Sequence, residues 1–177
     1  MKTFSTSARA SKERASSMAA MRMACGVYLA ATLAATMTTV QAHHSFSIFD
    51  ASKTRVFTGV VTRVNPDVNH LQIFFAVMND ERKNVIRDAK NQPVVWAVEM
   101  AGSAQAAREG ISVNAFPPGT IMSVGLHPLR SGEPAGDRGG SALYKCPVKT
   151  PPDAGKHCDT VEGSTKIGNG TLPTPTS

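Results

Sequence analysis

The chain has 177 residues, with 19 Lys and Arg against 13 Asp and Glu, a formal charge of +6, and three cysteines. Most of that excess is concentrated at the amino end. No Lys/Arg-dense stretch remains beyond it to release counterions along a nucleic acid backbone, so nucleic acid is not an expected partner.

Residues 1–20 carry Lys2, Arg9, Lys12 and Arg14, Arg22 follows, and only Glu13 opposes them. Val27 to Val40 is then uncharged. That run is shorter than the roughly 20 apolar residues needed to span a bilayer. With Val40-Gln41-Ala42 as a small-residue exit, residues 1–42 read as a signal peptide cleaved near Ala42. The alternative is a buried amphipathic helix. Met18, Met21 and Met23 are further candidate starts. Export to the periplasm or beyond is the expected localisation, with no membrane span in the mature chain. Cleavage removes five basic residues and one acid, leaving 14 against 12 and a formal charge of +2.

The mature chain from His43 is one domain's worth of residues. Val56, Val60 and Val64 alternate with Phe57 and Val61, which predicts a strand over Lys53 to Val64. Gly59 within it predicts a bulge or bend. After the turn at Asn65-Pro66-Asp67, a second strand is expected from Val68 to Met78, with Leu71, Ile73, Phe75 and Val77 on one face. Asn79 to Gln92 reads as a long solvated connection, and Val94 to Met100 as the third strand. Ser103 is placed to cap a short helix that Gly110 ends in a left-handed conformation. Thr120 to Leu126 is the fourth strand, RSGEPAGDRGG a glycine-rich loop, and Ser141 to Val148 the fifth strand.

Cys146 and Cys158 survive in the mature chain, and an even pair in an oxidising compartment reads as a disulfide, with two free thiols or a metal pair as the alternatives. Cys25 leaves with the signal peptide. Gly163 to Ser177 has little to bury and is expected to be a disordered tail, so the folded domain is placed at 43–162. Three strands, a short helix and further strands follow the element order of a small five-stranded barrel of oligonucleotide/oligosaccharide-binding (OB) type. A β-sandwich fragment is the alternative.

The opening His43-His44-Ser45-Phe46, Gly59-Val60-Val61, Asn65-Pro66, Trp96 to Glu99, Ser103, Pro118-Gly119 and Leu126-His127-Pro128 together resemble a family of small exported bacterial proteins of unknown function. The resemblance covers about residues 42–145 and implies an OB-like fold and export, with no activity attached. Where that family has Asn-Pro-His, this chain reads Asn65-Pro66-Asp67-Val68-Asn69-His70, which displaces the turn histidine.

If cleavage follows Ala42, His43 offers an α-amine and an imidazole, and His44 a second imidazole. Nitrogen donors of this kind suit Cu(II). His70 and His127 are candidate further ligands. The competing readings are a terminus shaped by the peptidase and a surface role for His70. Phe74 and Trp96 are candidate stacking residues on an open barrel face, against the alternative that both belong to the core, which is the preferred reading for Trp96. Glu99 reads as a surface or hydrogen-bonded acid. No G-x-S-x-G, H-E-x-x-H or phosphate loop before a helix is present in the sequence. The expected function is therefore a non-enzymatic binding or accessory module. Its partner would be a small molecule, a cell-envelope component or another protein, with copper binding as the alternative.

Overall fold

The computed structural model describes residues 46–67 and 69–176. The predicted signal peptide, His43 and His44 lie outside them. Seven strands and one short helix follow in order: β1 (Arg55–Asn65), β2 (Gln72–Val77), β3 (Val95–Glu99), α1 (Ser103–Arg108), β4 (Ile121–Pro128), β5 (Ala135–Asp137), β6 (Leu143–Lys145) and β7 (Thr165–Ile167). β1 pairs antiparallel with both β2 and β4, and β3 pairs parallel with β5, which reaches β4. The circuit β1-β2-β3-β5-β4 therefore closes on itself as a five-stranded barrel, the OB-like architecture expected from the element order.

Closure depends on the middle of β1. Gly59 and Val60 have partners on both edges, Val77 and Ala76 in β2, Met122 and Ile121 in β4. A Cβ at Gly59 would lie 2.5 Å from Phe75 Cδ2 and 2.7 Å from the Ala76 carbonyl oxygen. Glycine is needed there for close approach. The bulge expected at Gly59 lies further along, where the register steps from Val61↔Phe75 to Arg63↔Phe74 and leaves Thr62 as the extra residue.

The inward faces follow the period-two pattern. Ile73, Phe75, Val98, Met122, Val124 and Leu126 are essentially inaccessible, and each such side chain contributes roughly 1.5–3 kcal/mol by leaving water. Ala106 of α1, with Ile111 and Phe116 after it, joins the same core. Gly110, at φ +81°, ends the helix as predicted. Ser103 does not cap it: Gly102 holds the cap position, and the Ser103 hydroxyl instead donates to the Asp67 carbonyl.

Two expectations are corrected downstream. The strand that closes the barrel is β5, from within the glycine-rich loop, while β6 is an added strand on β4. The segment from Gly163, expected to be a tail, carries β7 on β6, buries Ile167, and bridges Thr176 to Thr54. Pro173 seats directly on Gly125 of β4, where any side chain would collide. The folded unit thus continues through Thr176. One well-placed isoleucine, glycine turns and a proline contact hold a segment that composition alone reads as polar and loose. The Asn79–Gln92 connection is the largely exposed hairpin expected, closed by the bridges Met78↔Val85 and Arg87↔Pro93, with one buried side chain. Its Arg82 is buried and donates to the carbonyls of Asn79 and Lys156.

Cys146 and Cys158 form the predicted disulfide, with Cα atoms 5.0 Å apart. Beneath it the Thr58 and Ser123 hydroxyls are 2.7 Å apart. Thr58 also shares a hydrogen bond of 2.8 Å with His157 Nδ1, and the Cys158 amide donates to Ser123 at 2.8 Å. Burial, followed by the charge of Arg82, holds the His157 pKa below its ordinary value. Among the described residues, no helix is long and apolar enough to cross a membrane.

Candidate functional site

The barrel strands place one row of polar side chains at a cleft of about 550 Å³. Glu99 at the end of β3 stands opposite Asp137 of β5, and Asp137 stands opposite His127 of β4. Register partners share a face, so the three lie side by side. His70, two residues before β2, extends the row by bringing Nδ1 to 3.0 Å from Glu99 Oε1. At the other end His127 Nδ1 lies 3.3 Å from Asp137 Oδ1. The order across the ends of these strands is His70, Glu99, Asp137, His127. All four line the cleft, and both histidine side chains are about a quarter exposed.

Local backbone makes the row possible. The Gly139 amide donates to Asp137 Oδ2 at 2.8 Å, which fixes the carboxylate against His127. Gly139 is at φ +57° and lies so close under the His127 ring that a side chain there would displace it. Beside the row, Arg138 pairs through Nη2 with Glu109, at the carboxyl end of α1. The Arg138 side chain is 8% exposed, yet its Nη1 has no hydrogen-bond partner among the described residues. A buried donor left so costs about 1–3 kcal/mol, and more when charged. Phe49, Met100 and Ala101 supply an apolar floor.

The structure brings His70 and His127 into one cleft, while His43 and His44, whose site the copper reading has them complete, lie outside the described residues. Among the described residues, however, no three His, Cys, Asp or Glu side chains are grouped to hold a metal ion. The two candidate stacking residues do not share a platform. Phe75, not Phe74, is the partner of Trp96 in register, so strand alternation sends Phe74 and Trp96 to opposite faces. Trp96 is 9% exposed and packs 4.6 Å, centroid to centroid, from Phe57 in the core. Phe74 lies on the outer face under the guanidinium of Arg63, 3.5 Å from its ring centre. Neither lines the cleft.

Glu109, Asp137 and Arg138 were not among the sequence candidates. The helix that ends near Glu109 and the loop containing Asp137 and Arg138 looked like connecting structure. The available signal was the sequence Gly136-Asp137-Arg138-Gly139-Gly140, two opposite charges fenced by glycines.

The row and its cleft are thus carried by the strands of a closed OB-like barrel. The chain belongs to a family of unknown function, DUF6152, whose model matches residues 30–138. The match includes the whole row and ends on Arg138, so β6, β7 and the disulfide lie beyond it. No curated protein and no solved structure is detectably similar to the chain.

Proposed function

We propose that the protein is an exported, non-enzymatic binding module that takes a small molecule in the cleft between Glu99, Asp137 and Arg138. The observation that carries this reading is the set of three basic–acidic pairs, His70–Glu99, His127–Asp137 and Arg138–Glu109, converging on one cavity. Its volume falls within the roughly 300–1,000 Å³ typical of small-molecule sites. Export rests on the signal-like residues 1–42 and accords with the disulfide. The test compares thermal unfolding of the native protein and the Ala51→Trp variant with amino acids, monosaccharides and dicarboxylates. Ala51 is an exposed residue at the cleft rim, so the bulky ring obstructs entry while the core is left alone. A ligand of the cleft raises the melting temperature of the native protein and not of the variant. Equal shifts in both proteins would place binding elsewhere.

Cu(II) is the second reading. It is favoured by the carboxylate held against Nδ1 of both His70 and His127, an arrangement that commonly orients imidazoles for metals. At the mature terminus, the amine and imidazole of His43 with the imidazole of His44 supply the other candidate donors. Cu(II) titration separates the contributions. His70→Ala with His127→Ala tests the cleft, and one residue added before His43 tests the terminus. Unchanged affinity in either case removes that set of ligands.

A further inference from the structure

The row contains an electrostatic conflict that its own partners do not resolve. Glu99 and Asp137 are register neighbours on adjacent strands, which puts two carboxylates side by side. Like charges so placed oppose each other. Glu109 is a third carboxylate on the cleft wall, against one guanidinium, Arg138. With both imidazoles uncharged, the wall carries a formal charge of −2. A positively charged group is attracted to the row, and carboxylates have lone pairs to spare for an ammonium after each accepts from a histidine.

Arg138 makes the opposite demand. Nη2 is engaged by Glu109, while Nη1 is a buried, charged donor with no acceptor among the described residues. Gly168 lies against that nitrogen, and a side chain there would occupy the space beside both Nη1 and the Glu109 carboxylate. A guanidinium with an unpaired donor is suited to an oxygen of a carboxylate. A simple anion would meet three carboxylates, and a bare metal ion would leave Nη1 unmet. The apolar floor of Phe49 and Met100 accommodates a short methylene chain between the two polar ends.

We propose that the cleft binds a small amine that also carries a carboxylate, a basic α-amino acid being the simplest member of the class, with ammonium toward Glu99 and Asp137 and carboxylate on Arg138 Nη1. This rests on the binding reading above and specifies its ligand. Calorimetric titration of the disulfide-bonded chain with L-lysine, 1,5-diaminopentane and hexanoate tests it, since the diamine lacks the carboxylate and hexanoate lacks both ammonium groups. Lysine binds tightest, and loss of either end weakens binding about tenfold or more. Arg138→Lys keeps a charge for Glu109 while removing the fork. It brings lysine down to the diamine's affinity and leaves the diamine unchanged. Equal binding of lysine and diamine, or hexanoate binding as tightly as lysine, overturns the proposal whether or not that variant folds. The Ala51→Trp variant separates the two claims. Binding that it abolishes, without preference for lysine, overturns the ligand class and preserves the cleft. If neither these probes nor the wider set binds in a way that Ala51→Trp abolishes, both are overturned.

Discussion

Two polar clusters in this molecule use similar residues to opposite ends. Under the disulfide, Thr58, Ser123 and His157 satisfy one another and the Cys158 amide. At the cleft, the row of His70, Glu99, Asp137 and His127 sets two acids side by side, and Arg138 keeps an unmet donor. The first cluster is closed: each member exists to fasten the segment after Arg138 onto β1 and β4. The second is tolerated at some cost in stability, which is the usual mark of a surface shaped for something other than folding.

The comparison can be broken most directly at the disulfide. Replacing Cys146 and Cys158 by Ala should lower unfolding free energy by about 3 kcal/mol, because a bridge across a separation of 12 residues restricts the unfolded chain. Urea unfolding measures this directly. Ser123→Ala comes next, at about 2 kcal/mol, since the Thr58 hydroxyl and the Cys158 amide lose a buried partner together. His70→Ala and His127→Ala should cost at most about 1 kcal/mol each, as expected of partly exposed pairs. Their effect belongs in ligand titrations. A loss comparable to that of Ser123→Ala would mean the cleft is a structural cluster after all.

The finest test is a slope against pH. The His157 pKa is lowered from 6.5 by burial and by Arg82, so the folded state prefers the neutral ring. Its contribution to stability is complete above 6.5 and is lost as the pH falls below 6.5 toward the folded-state value. The urea midpoint should therefore fall between about pH 7.5 and about pH 5, and His157→Gln should flatten part of that decline. An unchanged slope in the variant would remove His157 from the closed cluster's account.

The barrel was legible because its strands are amphipathic in the simplest way. Ile73, Phe75 and Val77 alternate with Gln72, Phe74 and Ala76, and helix α1 sits between recognisable turn signals. The disulfide followed from parity and compartment. Short pairings were not legible: β5 and β7 have three residues each, too few for periodicity, and exist because neighbouring strands supply the missing hydrogen bonds. The cleft was half visible. His70 and His127 stand out as residue types, but their common destination depends on β3, β4 and β5 being neighbours in register, a fact of topology. The core position of Trp96 and the outward face of Phe74 were legible from alternation; that Trp96 stands across from Phe75 and not from Phe74 depends on the register between β2 and β3.

The added strands also shape how the protein behaves in company. The five-stranded circuit has its strands paired in a ring, and β6 then places β7 at the outer boundary of the sheet. An unpaired strand edge is an invitation to aggregation between molecules. Here that edge is three residues long, carries Lys166 at its centre and turns away at Gly168, with φ +78°. Another chain finds almost no length to zip against and a charge in the way. The same small strand that completes the fold therefore gives edge-to-edge pairing little purchase, and Lys166→Val is the change that should first promote self-association through that edge.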